Sequence, residues 1–241
     1  LSVRGVTTML WINPLLFLQG QGGYLQVGPG GSVGVPEVDC VPFSLEKMTY
    51  LKIALELRRN FQVYEFPYDW RLPIEVNADV LRESIERWSA GNPNQQFTLV
   101  AHSMGGLVSR SYMSRHLAEG EKRVKRLITL GTPHLGATSA IDNLFNGNQM
   151  MAVVDKLNQM NGMRDVVLSM PSIYQLLPAP PEALPAGVAN PADWDLYDAK
   201  AWNVPGLRQE NLDMAKAFYL GLTGSDPQVP ITQIAGCNIN T

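Results

Sequence analysis

The sequence is short of charge, cysteine and long apolar runs, and each shortage excludes a class of protein. Only 17% of its 241 residues are charged and the formal net charge is -3, which indicates neither a nucleic-acid partner nor electrostatic docking to a membrane. The two cysteines, Cys40 and Cys237, lie far apart without metal-ligand spacing. They are either buried free thiols or a distant disulfide. The longest apolar run, residues 9–18, is broken by Asn13-Pro14 and is too short to span a bilayer.

No targeting signal can be read from the two ends of the sequence. It begins at Leu1 without an initiator methionine or a signal-peptide pattern, and it closes at Thr241 just after an apolar stretch. We therefore expect the protein to extend beyond both ends, and its localisation stays unassigned. Apolar residues make up 45% of the chain, which indicates a sizeable core rather than disorder. The length fits one large α/β domain or a core plus a cap.

Short apolar stretches alternate with amphipathic ones along much of the chain. Strands are predicted at residues 61–66, 97–101, 127–130 and 231–235. A helix is predicted at residues 44–60, with Ser44 as the cap and with Leu45, Met48, Leu51 and Leu55 on one apolar face. A second helix is predicted from Asn77 or Asp79 to about residue 90, with Leu81, Ile85 and Trp88 on its apolar side. Further helices are predicted at 104–117 and at 208–219. Residues 1–43, rich in Gly and Pro, are predicted to be irregular. The alternation predicts right-handed crossovers and a mostly parallel sheet covered by helices on both faces.

The alternation stops between residues 141 and 205, where no clear strand is found. Five of the ten methionines fall between Met150 and Met170, and six of the 17 prolines between Pro171 and Pro191. A stretch of that length without strands inside a compact domain is usually an insertion over a site. The predicted organisation is therefore a core at 1–140, a cap or lid at 141–205, and a return to the core at 206–241.

Residues 97–108 (FTLVAHSMGGLV) have the layout of a nucleophile elbow, in which a strand leads into a serine and a helix leaves it. Ser103 is the predicted nucleophile. Ala101 and Gly105, two positions to either side, are small, as such a tight turn requires. The backbone N–H of Met104, at the N-terminus of the helix, is predicted to donate to an oxyanion. This context predicts an α/β-hydrolase fold; the alternative is a small-residue turn with an incidental serine.

A catalytic acid and base are not found in the sequence. In this fold the order is nucleophile, acid, histidine, and no histidine follows His134. His102 is predicted to make a structural polar contact and His116 to be solvated, while His134 either stabilises a turn or lines the rim of the site. Asp226 is typical of a turn. We expect the acid and the base to lie beyond Thr241, and the chain alone to have little activity.

Four segments occur in an order and spacing more specific than the elbow alone: residues 66–71 (FPYDWR), 101–105 (AHSMG), 130–136 (LGTPHLG) and 10–14 (LWINP). They resemble the lecithin:cholesterol acyltransferase family, in its bacterial and phospholipase-like branches as much as in its plasma member. The first resembles the family's Pro-Tyr-Asp-Trp-Arg segment, the second its elbow and the third its Gly-(Thr/Ala)-Pro stretch. The fourth is similar to a segment that follows the oxyanion loop in bacterial members.

The resemblance implies a lipid-ester acyltransferase or lipase that works through an acyl-serine on Ser103, with the Met104 N–H as half of the oxyanion hole. It places the other oxyanion donor before Leu1, and the acid and histidine past Thr241. A plain triacylglycerol lipase or carboxylesterase is the alternative enzyme, and a non-catalytic lipid-binding protein is the alternative of another class. The expected partners are an acyl-ester substrate and a lipid surface touched through the cap, with no nucleic acid, cofactor or metal.

Two further features have two interpretations each. Asp69, Trp70 and Arg71 either face the substrate or form a structural ion pair beside a Trp packed under the site. The Met-rich residues 150–170 either wrap an acyl chain or pack the lid.

Overall fold

The computed structural model describes residues 2–3, 6–9, 23, 25–28, 40–146, 162–189, 192–224 and 227–236. In these ranges the strands are β1 (Ser2–Val3), β2 (Val6–Met9), β3 (Cys40–Val41), β4 (Phe97–His102), β5 (Val124–Leu130) and β6 (Ile231–Ile234). The helices are α1 (Lys47–Arg58), α2 (Ile74–Ser89), α3 (Met104–Arg115), α4 (Leu117–Arg123), α5 (Ser139–Asn146), α6 (Gly162–Ser169), α7 (Pro171–Tyr174), α8 (Ala199–Trp202) and α9 (Gln209–Thr223).

A parallel sheet of order β4-β5-β6 positions the site. Strand β4 pairs with β5 up to His102 opposite Leu130, and β5 pairs with β6 up to Leu130 opposite Ile234. Because the three strands run in the same direction, their carboxyl ends meet at one edge, where open α/β sheets place their ligands. The predicted strands at 97–101, 127–130 and 231–235 are confirmed, and β5 begins three residues earlier than predicted.

The main core lies where α2, α3 and α9 cover this sheet. Its members are at most 9% exposed and come from these three helices and from β5 among others: Ile74, Leu81, Ile85, Leu107, Val108, Leu127, Phe218, Tyr219 and Leu222. Burying side chains of this size contributes roughly 1.5–3 kcal/mol each. The predicted apolar face of α2 is confirmed at Leu81 and Ile85, whereas Trp88 is partly exposed.

Helix α2 begins at Ile74, earlier than the predicted caps at Asn77 or Asp79. Asn77 is buried inside the first turn, where its Nδ2 donates to the carbonyl oxygen of Asp69 at 2.9 Å. The first helical N–H, that of Ile74, donates instead to Oε1 of Gln175 at 2.7 Å. The helix start is thus satisfied by a side chain 101 residues away, which no local pattern could indicate.

Helix α1 turns a different face to the protein from the one its apolar spacing predicts. It is capped by Glu46, not Ser44, since both Glu46 carboxylate oxygens accept backbone N–H groups at 2.7 Å. Ala54 is the buried residue of this helix. Met48 and Leu55, from the predicted inner face, are 96% and 53% exposed.

Residues 61–66 are not a strand, contrary to prediction. Their aromatic side chains pack on other rings: Tyr64 stacks on Trp88 at 5.1 Å, and Phe66 stacks on Tyr68 at 5.7 Å. The described part of the chain offers this backbone no neighbouring strand. Aromatic residues that favour strands can also be held by ring packing alone.

The prediction of irregular structure for residues 1–43 is wrong at residues 2–3, 6–9 and 40–41, which are strands. Strands β1, β2 and β3 form a small antiparallel sheet of order β2-β1-β3. The β-branched run Val6-Thr7-Thr8 favours a strand, although Gly and Pro dominate the region as a whole. Leu25 and Val27 are also described, and both are buried.

The described residues between 141 and 205 contain helices and no strand, as expected. They form a second hydrophobic cluster around Tyr174, Leu177 and Trp202, which α9 closes with Leu212 and Ala215. Residues 147–161 lie outside the described ranges, and so does most of the Met-rich stretch 150–170 that was predicted to wrap an acyl chain or to pack the lid. Among the described helices, none combines the length and apolar character needed to cross a membrane.

Candidate active site

Ser103 occupies the junction between β4 and α3 in a backbone conformation that L-residues rarely adopt. Its φ is 52° and its ψ is -129°, a strain that costs on the order of 1–3 kcal/mol for a residue with a Cβ. Its N–H donates to the carbonyl oxygen of Leu130 at 2.9 Å, and its carbonyl accepts from Gly106 at 3.1 Å. The strand edge and the first helical turn therefore hold the strained residue from both sides.

The residues two positions either side of Ser103 face each other closely. A Cβ added at Gly105 would lie 3.9 Å from the Cβ of Ala101 and 3.8 Å from the Tyr68 hydroxyl oxygen. These are ordinary contacts, so an alanine fits at 105 while a larger pair would not. Tyr68 is thus the member of residues 66–71 that reaches the elbow, and burial raises its pKa above the ordinary value.

Gly106 is a site residue that the sequence reasoning missed. A Cβ there would lie 2.1 Å from Thr132 Oγ1 and 2.6 Å from Thr132 Cγ2. Both distances are shorter than the closest approach of non-bonded atoms. The loop after β5 therefore packs directly on the first turn of α3, with Thr132 Oγ1 buried and without a hydrogen-bond partner among the described residues. The second glycine of Gly105-Gly106 and the Thr in Gly-Thr-Pro are the only local signals of this contact.

The N-terminus of α3 offers backbone N–H groups next to Ser103. The first N–H groups of a helix have no intrahelical acceptor, and the helix dipole makes this end favourable for negative charge. Met104 is the first residue of this 12-residue helix, and its side chain is 9% exposed. Its N–H is therefore available to an oxyanion beside Ser103, while its buried side chain fixes the turn.

The first two histidines are engaged away from Ser103. A hydrogen bond of 2.8 Å joins His102 Nδ1 to the Tyr50 hydroxyl, which is the structural polar contact predicted. His116 Nε2 donates to Asp79 Oδ1 at 2.8 Å, with 23% of its side chain exposed. The prediction of a solvated His116 is wrong, because the ring, at the end of α3, is hydrogen-bonded to the Asp79 carboxylate on α2.

The third histidine, His134, lies in the loop after β5. Its Nδ1 is 3.3 Å from Arg110 Nη1, and its Nε2 is 3.2 Å from Thr129 Oγ1. Burial of the ring, and to a smaller extent the nearby Arg110 charge, lowers the pKa of His134 below its ordinary value. Among the described residues, no imidazole is hydrogen-bonded to Ser103 Oγ.

Asp69 and Arg71 form the buried ion pair that one of the two sequence interpretations predicts. Arg71 Nε and Nη2 donate to the two carboxylate oxygens of Asp69 at 2.9 and 2.6 Å. The Arg71 side chain is fully buried and that of Asp69 is 6% exposed. Trp70 packs against the main core. This geometry supports a structural role for the pair rather than contact with a substrate.

Several predicted features lie outside the described residues: residues 10–14, Asp226 and Cys237. In the described ranges, no group of three or more His, Cys, Asp or Glu side chains is arranged to hold a metal ion. The site as described therefore consists of a strained serine, a helix N-terminus and the loop packed against it.

Comparison with known proteins gives matches in sequence and in structure. The family model "Lecithin:cholesterol acyltransferase" matches residues 45–217, which is more than two thirds of the chain. Phospholipase A(1) LCAT3 of Arabidopsis thaliana is 23% identical over 57% of this chain and 32% of its own length. Lecithin-cholesterol acyltransferase-like 4 of the same plant is 28% identical over 49% of this chain and 23% of its own length.

A solved structure shows the same fold. A chain from the crystal structure of the Tle4-Tli4 complex superimposes with a TM-score of 0.52 at 17% identity, over 88% of this chain and 49% of that one. Together with the parallel sheet and the elbow, this likeness confirms the predicted α/β-hydrolase fold. The matches span about a third or less of the length of the curated relatives.

Proposed function

The chain belongs to the lecithin:cholesterol acyltransferase family, as its four sequence segments indicated, and on that premise we propose that it carries the nucleophile of a lipid-ester acyltransferase or lipase. Ser103 is the proposed nucleophile and the Met104 N–H the proposed oxyanion donor. The observation that carries the proposal is the strained backbone of Ser103, with φ at 52° in a residue that is not glycine. Such strain persists where the surrounding structure enforces it, and it concentrates at functional sites.

The proposed reaction has two steps. Ser103 Oγ attacks the ester carbonyl carbon, forming a C–O bond while its proton leaves with the departing alcohol. The acyl-serine then reacts with water or with an acceptor alcohol, which restores the serine hydroxyl and releases a fatty acid or a new ester. In both steps the carbonyl oxygen gains negative charge beside the N-terminus of α3, where the Met104 N–H donates to it.

The proposal assigns no general base among the described residues, because each of the three histidines is bound elsewhere. A plain triacylglycerol lipase or carboxylesterase would use the same chemistry, and the family match favours the broader lipid-ester class. A non-catalytic lipid-binding protein is the less favoured alternative, since it would gain nothing from the strain at Ser103.

We also propose that residues 141–205 form a cap over this edge of the sheet. The Ala137 N–H donates to the Leu176 carbonyl at 2.8 Å, and the Ala179 N–H to the Leu135 carbonyl at 2.9 Å. These bonds fasten residues 176–179 to the loop after β5, at the same sheet edge as Ser103. An apolar cap at this position would favour transfer over hydrolysis if it excluded water.

One experiment tests the nucleophile and the cap. The full-length protein is treated with a long-chain fluorophosphonate whose chain end carries a photoreactive group. We expect the wild type to be labelled at Ser103, Ser103→Ala to be unlabelled, and Ser114→Ala, a serine on the same helix, to be labelled as the wild type. Persistent labelling of Ser103→Ala would remove Ser103 from the proposal. After illumination, cross-links should fall within 141–205; cross-links confined to other residues would argue against the cap.

A further inference from the structure

The loop that follows β5 is fastened to the elbow helix at two points one turn apart. Thr132 packs against Gly106. Four residues further along α3, Arg110 Nη1 lies 3.3 Å from Nδ1 of His134 and 3.4 Å from its carbonyl oxygen. Because residues i and i+4 share one helix face, both contacts hold the same stretch of loop on the same side of α3. Ser103 directly precedes that helix.

Arg110 determines which tautomer of His134 fits the site. A guanidinium only donates hydrogen bonds, so Nδ1 must be the accepting, unprotonated nitrogen. The proton of the neutral ring is therefore assigned to Nε2, which donates to Thr129 Oγ1 at 3.2 Å. Thr129 lies on β5 and is 1% exposed. The neutral imidazole thus joins the strand to the elbow helix through both of its nitrogens.

Charge acts in the same direction as hydrogen bonding. Arg110 of α3 is the charged group that faces the ring, and Tyr219 of α9 is the titratable group that faces Arg110 in turn. No carboxylate contacts the Arg110 guanidinium within the described ranges. Protonation of His134 would place a second cation 3.3 Å from this half-buried guanidinium. It would also remove the lone pair of Nδ1 that accepts the hydrogen bond from Arg110.

We propose that neutral His134 is a positioning residue for the nucleophile: through Arg110 it holds Thr132 against the elbow helix, and its protonation releases this contact. The inference rests on the proposed function of Ser103, since the geometry being held is that of Ser103 and of the Met104 N–H. A displacement of about 1 Å in such a constellation can lower a rate by roughly 100-fold.

The pH dependence follows from the lowered pKa of His134. In the unfolded chain the ring takes up its proton near its ordinary pKa of about 6.5, whereas the folded protein resists protonation to lower pH. The stabilising contribution is therefore complete above the unfolded pKa, and it is lost as pH falls through the folded one. Release of the loop should accompany that loss.

The test compares three variants from about pH 5 to about pH 8, the range in which imidazoles titrate. In His134→Asn the amide oxygen replaces Nδ1 as the acceptor for Arg110 and does not titrate. His134→Ala removes the acceptor. His116→Gln is the matched control, because it removes a histidine at the other end of α3. The readouts are the rate of Ser103 labelling by a fluorophosphonate and the NMR resonances of the His134 ring and the Gly106 amide.

We expect the Gly106 amide in the wild type to shift with the same midpoint as the His134 ring, and in His116→Gln as well. In His134→Asn this titration should vanish, and the decline of labelling at acid pH should move or weaken while the neutral-pH rate is largely kept. At neutral pH His134→Ala should label more slowly than the wild type by about 10-fold or more, and this difference should shrink at acid pH, where the wild-type ring is protonated.

Two results would overturn this inference while leaving the proposed function intact. One is a pH-dependent shift of the Gly106 amide that persists in His134→Asn. The other is a wild type that is labelled while His134→Asn and His134→Ala show the same labelling rate and the same decline at acid pH as it does. The NMR readout on His134→Asn stands even if the alanine variant does not fold. A full-length wild-type protein that stays unlabelled at every pH overturns the proposed function, and this positioning role with it.

Discussion

Adding one methyl group at Gly106, in the first turn of the elbow helix, should destabilise the protein. A Cβ there would lie 2.1, 2.6 and 2.8 Å from Oγ1, Cγ2 and Cβ of Thr132. At Gly105 the nearest atoms, on Tyr68 and Ala101, are 3.8 and 3.9 Å away. The two glycines are neighbours in the first turn of one helix, so Gly105→Ala is a matched control for Gly106→Ala.

The expected magnitude combines two opposing terms. Replacing Gly by Ala in a helix gains at most about 1 kcal/mol, and both variants receive this gain. Overpacking at Gly106 costs about 1–3 kcal/mol. Rotation of the Thr132 side chain cannot relieve it, because the Cβ at 2.8 Å does not move with χ1. Gly106→Ala should therefore unfold about 2–12 °C below Gly105→Ala, at 2–4 °C per kcal/mol for a chain of this size.

Thermal unfolding followed by circular dichroism measures the difference, and fluorophosphonate labelling of Ser103 measures its effect on the site. We expect labelling of Gly106→Ala to slow by about 10-fold or more, because the loop or the helix must shift to make room. Thr132→Ala in the Gly106→Ala background removes the two nearest atoms and should restore part of both losses, as a double-mutant cycle would show. Equal midpoints for the two alanine variants, or no coupling to Thr132, would refute the packing argument.

Two further substitutions test the strain and the buried ion pair. Ser103→Gly should be about 1 kcal/mol or more stable than Ser103→Ala, because only glycine adopts φ 52° and ψ -129° without strain; equal urea midpoints would show that Ser103 is not strained. Asp69→Asn should cost about 3–5 kcal/mol, since it breaks the ion pair between Asp69 and the fully buried Arg71. Glu56→Gln, which breaks an ion pair with both side chains more than half exposed, should cost less than about 1 kcal/mol; similar losses from the two changes would argue against a structural role for Asp69.

The elbow, with the strand that leads into it and the helix that leaves it, was predictable because its signal is local. A continuous apolar strand, a small-residue turn and a helix follow one another within residues 97–108, and the structure forms β4, the Ser103 turn and α3 from them. The oxyanion-hole assignment of Met104 is still a prediction, as are the cap boundaries at 141 and 205. The oxyanion-hole assignment depends on how a substrate binds, and the cap boundaries depend on which residues cover the site. A sequence pattern specifies neither.

The contacts that hold the elbow were not predictable, because they join distant parts of the chain. Gly106 meets Thr132 across 26 positions, and Gln175 supplies the acceptor for the first turn of α2 across 101. The inner face of α1 illustrates the same limit, since spacing favoured Met48 and Leu55 while the protein buries Ala54. Periodicity predicts which face of a helix is apolar, whereas burial depends on where the neighbouring elements lie.

Residues 175–177 link the predicted cap to three parts of the core at once. The Gln175 side chain accepts from the start of α2 at 2.7 Å, and its carbonyl accepts from the Tyr219 hydroxyl of α9 at 3.0 Å. The Leu176 carbonyl accepts from Ala137 at 2.8 Å, and a Cβ at Gly136 would overlap the Leu177 carbonyl at 2.0 Å. A displacement of this segment must therefore break these bonds or carry with it the loop that places Thr132 on the elbow helix. The position of the proposed cap and the geometry around Ser103 therefore depend on the same contacts.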